Sequence, residues 1–307
     1  MDIRKSIMAI KNIAVVVPSH RQELTDLFLS HWQPLFDKHN VEFILVDDSG
    51  NFPRIVHEST LCVSSVTPYG EKQTAESVLF SNHCAGVRQL GFLYIAQRLP
   101  DVEYILTFDT DTAPIGDPIQ DHIDQLNRSV PISWISTSTD MYMRGFPYGV
   151  REEAQVMLSH GVWETVPDYD APTQLLTPKD FKPNYYQGPI PKGIFAPICG
   201  MNIGFRREAL PYIYFAPVGN FKGAERWDDI FMGIMVIKKF SELNWAIVTG
   251  YAKVEHKRAS NPFESLAKEA VGILHGEEFW KDPENYNGHP WFDEFRGKTE
   301  KWYNLTK

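Results

Sequence analysis

Three short, unbroken apolar runs, each stopped by polar residues, constrain this chain more than anything else in it. Residues 13–17 (IAVVV) lead into Pro18-Ser19-His20-Arg21, and residues 43–46 (FILV) lead into Asp47-Asp48-Ser49-Gly50. Residues 103–108 (EYILTF) lead into Asp109-Thr110-Asp111. Runs this short, rich in β-branched and aromatic residues and closed by turn formers, predict strands buried on both faces. Residues 61–66 are a further candidate strand. Between the runs the period changes. Leu24, Leu27, Phe28, Trp32, Leu35 and Phe36 recur at helical spacing, interrupted by Pro34, and residues 85–98 carry Val87, Leu90, Leu93 and Tyr94 on one helical face. Strands alternating with helices predict an α/β fold, a mostly parallel central sheet with helices on both faces. In such sheets ligands bind beyond the carboxyl ends of the strands, where Ser19, Asp47 and Asp109 all fall.

After Pro131 the texture loosens. Residues 132–135 read as another strand, whereas 136–197 are rich in Pro, Gly, Tyr and Asp with little periodicity. A stretch so long and so aromatic reads as an irregular insertion over an active site. Order returns with a strand over 199–205, a segment over 207–213, a helix over 228–240, a strand over 245–248 and a helix over 263–274. The last thirty residues hold Trp280, Trp291, Phe292, Phe295 and Trp302, which either pack on the body or make a homo-oligomer contact. One domain over 1–307 is the simplest organisation, in three parts: 1–135, 136–275 and a tail over 276–307.

Composition removes some classes. A formal net charge of −9 argues against nucleic acid as a partner, which would call for a basic stripe. Cys62, Cys84 and Cys199 are odd in number and lack metal spacing, which suits a reducing cytoplasm. No run is long enough for a signal peptide core or a membrane span, so a cytoplasmic protein is expected.

The chemistry gathers on acids and arginines. Asp109 and Asp111 lie two residues apart at a strand end, so their carboxylates can point the same way. Crowded carboxylates raise each other's pKa unless a cation joins them. A divalent metal, Mn²⁺ or Mg²⁺, carrying a diphosphate is the expected partner, with His256 after the late strand as a third ligand. Neither G-x-G-x-x-G nor G-x-x-x-x-G-K-[ST] occurs, which disfavours a Rossmann dehydrogenase and a P-loop NTPase. The expected nucleotide contacts are Pro18, Ser19, Arg21, Asp47, Asp48, Arg88, Asp109 and Lys192, with an Asp after the second strand accepting from uracil or ribose. Asp228 and Asp229 open a helix. One is expected to cap it, leaving the other as a base or hydroxyl acceptor. Arg144 and Arg151, among glycines and aromatics, have the character of phosphate clamps or partners for acids.

Several of these segments together resemble one known family. They are Arg144-Gly-Phe-Pro-Tyr-Gly-Val-Arg151-Glu152, Pro191-Lys192-Gly193, Cys199-Gly-Met-Asn202, Trp227-Asp228-Asp229 and Ser260-Asn-Pro-Phe263. In this order they are similar to the reversibly glycosylated polypeptides, the UDP-arabinopyranose mutases of plants and their prokaryotic relatives. The resemblance runs from the first strand to about Glu269. It implies a GT-A-like nucleotide-sugar fold, a divalent cation, and interconversion of UDP-L-arabinopyranose and UDP-L-arabinofuranose. It also implies reversible glycosylation of an arginine, here matched by Arg144, with Arg151 as the second arginine required. The family's three consecutive aspartates are broken here by Thr110, and its Ser-Leu between the arginines is Gly149-Val150.

On that basis the expected mechanism has UDP leave from a metal held by Asp109 and Asp111 while Arg144 attacks the anomeric carbon. Guanidinium holds its proton up to a pKa above about 12, so Asp228 or Asp229 must orient it or take that proton. Arg151 serves as an electrostatic clamp. Two rivals are a metal-dependent UDP-sugar glycosyltransferase acting on a separate acceptor and a non-catalytic nucleotide-sugar-binding subunit.

Overall fold

The apolar runs form the centre of a ten-stranded sheet. The computed structural model describes residues 12–47, 79, 85–135, 138, 141–178, 181–257 and 261–307, with the backbone alone at 61–64 and 85. Strands β1 (Ile13–Ser19), β2 (Glu42–Asp47), β3 (Leu61–Ser64) and β4 (Tyr104–Phe108) pair in parallel in the order β3-β2-β1-β4. Side chains of β1 alternate between two cores: Ala14 and Val16 face one, Ile13, Val15 and Val17 the other. That two-sided burial is why these strands read as continuous apolar runs rather than alternating ones. Asp48 and the continuation of the third candidate strand to residue 66 lie outside the described residues.

Beyond β4 the sheet becomes mixed. Strand β9 (Asn202–Arg206) runs antiparallel to β4 and to β7 (Glu153–Thr165). Two reversals leave β7 pointing the same way as β4. Strand β10 (Ala246–His256) lies parallel to β7, and β5 (Thr112–Pro114) closes that edge antiparallel to β10. Two short strands, β6 (Ser129–Pro131) and β8 (Gly188–Pro189), pair with β7 and β10. The carboxyl ends of β1, β2, β4, β7 and β10 therefore share one edge of the sheet, the expected place for a ligand.

Helices cover both faces, as expected. On one lie α1 (Gln22–His39), through Phe28, Trp32 and Phe36, and α3 (Pro118–Leu126), through Ile119 and Leu126. On the other lie α2 (Gln89–Arg98), α5 (Asp228–Leu243) and α7 (Trp291–Thr306). A short α4 (Ala171–Leu176) and α6 (Pro262–Phe279) flank the carboxyl edge. No described helix is long and apolar enough to cross a membrane.

Some expectations need correction. Pro34 does not interrupt α1. The helix runs through it and stops at Asn40, which takes a left-handed φ of 49°. Residues 132–135 form no strand, because pairing ends at Pro131. The stretch 136–197 is less irregular than it reads, since it contains β7, a thirteen-residue strand. The late strand is not confined to 245–248 but continues to His256. The aromatic tail packs on the body. Trp302 and Phe292 are fully buried, and the Trp302 indole Nε1 donates to the Leu210 carbonyl at 3.1 Å. Each such ring contributes about 1.5–3 kcal/mol of burial.

Candidate active site

The Asp109-Thr110-Asp111 turn is held from both sides before any ligand is considered. Thr112 folds back on it, its backbone N–H and hydroxyl both donating to the Asp109 carbonyl, at 3.1 and 2.8 Å. Trp32 of α1 supports it from beneath, its ring 4.1 Å from that of Phe108 and its Nε1 donating to the Thr112 carbonyl. The Lys257 N–H donates to the Asp111 carbonyl, tying the turn to the end of β10. His256 then brings Nε2 to 3.7 Å from an Asp111 oxygen, while its Nδ1 lies 2.8 Å from the Val166 carbonyl. A carbonyl only accepts, so Nδ1 carries a proton, and Nε2 faces the Asp111 carboxylate, which favours a second proton on the ring. Burial pushes the His256 pKa down, but the Asp111 carboxylate, the Val166 carbonyl and Asp109 outweigh it, and the net shift is upward.

Arg88 reaches the same turn from the opposite side. Its guanidinium forms an ion pair with Asp109, donates from Nε to the Thr107 hydroxyl at 2.9 Å, and sits over the Phe215 ring. Burial raises the Asp109 pKa and the Asp111 charge adds to this, with Arg88 and His256 pulling only partly back. Two carboxylates and an imidazole are the right donors for a hard divalent cation. Among the described residues no group of three such side chains is gathered around a common point. The donor chemistry fits a cation, although one Asp109 oxygen is already paired with Arg88.

Asp109 and Arg88 open into a cavity of about 1190 Å³ that extends to the start of α5. Asp109, Asp168, Asp170, Glu225, Glu269 and Glu277 line it together with the Asp228/Asp229 pair, against two arginines, Arg88 and Arg226. Asp228 is buried, and one of its oxygens accepts from the Asp229 N–H at 3.0 Å, but neither acid caps the helix, because the cap position falls on Trp227 and Asp228 is already the first helical residue. Asp229 accepts from the Gly200 N–H at 2.9 Å. Burial first, then the neighbouring Asp228 charge, pushes the Asp229 pKa up to about 8. A helix N-terminus ordinarily favours an ionised acid. Here desolvation wins, so near neutrality the pair holds one proton between its two carboxyls.

A buried relay positions Gly200. The His160 Nε2 accepts from the Cys199 N–H at 3.1 Å, and its Nδ1 meets the Thr249 hydroxyl at 2.9 Å. Accepting that N–H requires neutral imidazole, and burial depresses the His160 pKa to about 4. Beside it His122, also lowered to about 4 by burial, bridges Ser159 and the Asn202 side chain. On the far wall Arg226 ties Asp168 at 3.3 Å and Glu269 at 3.2 Å. Trp227 lies in a notch of α6 where Gly272 and Gly276 have no side chains; a methyl on either would run into the indole.

The structure thus brings together Asp109, Asp111, His256, Arg88, Asp228 and Asp229. Ser19 and Asp47 stand on adjacent strand ends, in register with each other and both buried. The Ser19 hydroxyl is occupied in starting α1, accepting from Thr25 at 2.7 Å. Pro18 is half-buried beside it and Arg21 is exposed. Lys192 is not near Asp109. It lines a smaller cavity of about 450 Å³ along α5 and reaches the Asn244 amide oxygen at 3.4 Å.

Arg144 and Arg151 are not brought to the main cavity either. Arg151 lies just before β7, its guanidinium 3.8 Å from the Tyr148 ring centroid, and Arg144 is exposed in the same segment. Register places His160 opposite Ile203, and Ile203 opposite Thr107. Nine residues at about 3.3 Å each put Arg151 roughly 30 Å from the level of Thr107 along the strand. Asp168, Glu269 and His160 were not singled out from sequence. Asp168 and His160 sit within the stretch read as irregular, and Glu269 lies on a helix face with nothing local to distinguish it.

The reversibly glycosylated polypeptide family matches residues 8–281. UDP-arabinopyranose mutase 3 of Arabidopsis thaliana is 30% identical over 298 residues, 92% of this chain and 78% of that protein. A probable UDP-arabinopyranose mutase 1 of Zea mays is 36% identical over 196 residues, 59% of this chain and 52% of that one. Among solved structures, a mycobacterial protein aligns with 16% identity and a TM-score of 0.47, covering 87% of this chain and 74% of its own. The catalytic domain of Drosophila β1,4-galactosyltransferase 7 with xylobiose aligns with 12% identity and a TM-score of 0.42, covering 92% and 84%.

Proposed function

This chain belongs to the reversibly glycosylated polypeptide family, and from that premise we propose that it interconverts the pyranose and furanose forms of a UDP-pentose, with UDP-L-arabinose as the substrate. The observation that carries the reading is the cavity joining the Asp109–Arg88 ion pair at the strand ends to the Asp228/Asp229 pair at the start of α5. Ser19 and Asp47 mark the side for the nucleoside, Arg88 the diphosphate, and the acid-lined cavity the sugar. A divalent cation held by Asp109, Asp111 and His256 would neutralise diphosphate charge and so ease the departure of UDP.

Ring contraction breaks the bond between the anomeric carbon and UDP and later reforms it. In between, the hydroxyl that closes the new ring must lose a proton and the old ring oxygen must gain one. A carboxyl pair sharing one proton can do both without solvent: the ionised Asp228 accepts while the protonated Asp229 donates. This differs from a pair acting as bases only, because a carboxyl with a pKa of about 8 is a donor at neutral pH. Reversible attachment of the sugar to Arg144 holds the anomeric carbon while UDP is away: a C–N bond replaces the C–O bond to UDP, the guanidinium N–H proton leaves on the freed UDP phosphate, and it returns when UDP displaces the arginine. A single chain does not serve that step in this arrangement, since Arg144 lies beyond the opposite end of β7.

Incubation with UDP-L-arabinopyranose and Mn²⁺ or Mg²⁺, with no acceptor present, tests the proposal. The expected result is a second UDP-sugar of the same mass, lost on chelation. Slow release of free arabinose and UDP alone would instead favour a transferase, and binding without turnover a non-catalytic subunit.

A further inference from the structure

Two features of this molecule lack a counterpart within one chain. The first is the segment ahead of β7. Trp134, Ile135, Met141, Met143 and Tyr148 are all exposed there, Tyr148 to 84%. Packing of Phe146 against Trp134 and Tyr142, and of the Arg151 guanidinium against Tyr142 and Tyr148, makes the segment one unit. Several large apolar side chains left in water on one segment mark an interaction surface more often than a plain monomer face. Arg144 stands in the middle of it, exposed on a turn at Gly145, whose φ is +101°.

The second is the cavity. Its sugar end is walled by acids, and the one cation there among the described residues, Arg226, is already tied to Asp168 and Glu269. A UDP-sugar adds further negative charge. Ile194 and Trp280 line the cavity and are exposed, and α4, which lines it through Pro172 and Thr173, exposes Leu175 and Leu176 beyond them, Leu176 to 87%. One surface is apolar with an arginine at its centre; the other is apolar with carboxylates at its centre.

We propose that the 141–151 segment of one copy docks on the cavity mouth of a second copy of this chain, setting Arg144 among its partner's carboxylates. The two surfaces match in polarity and in charge, and both belong to this chain, so the contact can be reciprocal about a two-fold axis. Reach within one chain is poor. The segment is anchored at the carboxyl end of α5, where Asn244 donates to Glu152 and the Lys192 N–H donates to the Ile132 carbonyl. Asp229 stands at the other end of that helix, fifteen residues or roughly 22 Å away at 1.5 Å per residue. The contact rests on these surfaces alone; the chemical role of Arg144 in it rests on the proposed mutase reaction.

Subunit complementation reads both. Arg144→Ala and Asp228→Asn chains are each expected to lose mutase activity. Refolded together, they should regain about a quarter of the wild-type rate, because half the dimers are mixed and each mixed dimer has one intact site. An inactive mixture, or an Arg144→Ala chain with full activity, would overturn the proposal. Light scattering decides the contact even if the substrate is misassigned. The wild-type chain should be a dimer, and Tyr148→Asp or Leu176→Asp should each yield a folded monomer. A monomeric wild type, or a dimer indifferent to both substitutions, would also overturn it.

Discussion

At the scale of single residues, the site is governed by burial acting against charge. Asp228 and Asp229 were legible in the sequence as acids opening a helix, but not the fact that one keeps its proton. That depends on desolvation by the cavity wall, which no local pattern records. It has a consequence for stability. Asp229, at about 8, holds a proton in the folded state that the unfolded chain releases near 4, so its contribution falls as pH rises from about 4 to 8. His122 and His160, at about 4, stay neutral in the fold while the unfolded chain protonates near 6.5, so their contribution falls as pH drops from 6.5 to about 4. Each group adds up to about 1.4 kcal/mol per pH unit inside its window. Thermal melts should therefore peak near pH 6.5, and Asp229→Asn should flatten the alkaline side while steepening the acid side, where Asp229 opposes the two histidines. An alkaline decline unchanged in that variant would show that the proton sits elsewhere.

His160 acts through the backbone rather than on the substrate, so it is a positioning residue. His160→Ala leaves the buried Cys199 N–H without its acceptor, at a cost of about 1–3 kcal/mol in stability. It should also lower kcat about tenfold with little change in KM for the UDP-sugar. The specific sign is in the pH profile. With Gly200 displaced, Asp229 loses an N–H donor and its pKa rises, so the alkaline limb of kcat moves up in pH. An unshifted limb would reduce His160 to a core residue.

At the scale of elements, the strands with continuous apolar runs were readable and β7 was not. Its segment carries Gln155, Ser159, His160, Gly161 and Glu164, which read as loop. Those polar groups are tolerated inside because each finds a partner: Ser159 and Asn202 satisfy His122, Thr249 satisfies His160, and the Gln155 amide donates to the carbonyls of Leu126 and Arg128. Tertiary hydrogen bonding of this kind has no period to detect. The α6 helix shows the reverse case. Gly272 and Gly276 are one helical turn apart, and the groove they leave seats Trp227 immediately before the acid pair. Gly276→Ala would help an isolated helix by roughly 1 kcal/mol. Here it should destabilise the protein by about 1–3 kcal/mol, as overpacked sites do, and lower turnover by shifting α6 away from α5. A more stable, fully active Gly276→Ala chain would contradict the notch.

At the scale of the whole molecule, the direction of each strand decides what can meet. Local runs indicated that Ser19, Asp47 and Asp109 would converge, because parallel strands deliver their carboxyl ends to one edge. They did not indicate that β9 would reverse twice between β4 and β7, leaving Arg144 and Arg151 at the opposite edge. The tail posed the matching question, and its rings apart from the exposed Trp280 settle on the body: Trp291 stacks on Phe295 and Phe221, and Tyr214 on Trp302.

The central claim is that one cavity exchanges the two ring forms of a UDP-pentose. Its most direct test follows the anomeric proton signals by NMR from both sides, starting once with UDP-L-arabinopyranose and once with UDP-L-arabinofuranose, each with Mg²⁺ and the wild-type chain. The account predicts that both reactions converge on one ratio of ring forms with UDP-sugar conserved, and that Asp228→Asn removes the convergence. Ring forms that stay apart while UDP accumulates would contradict it.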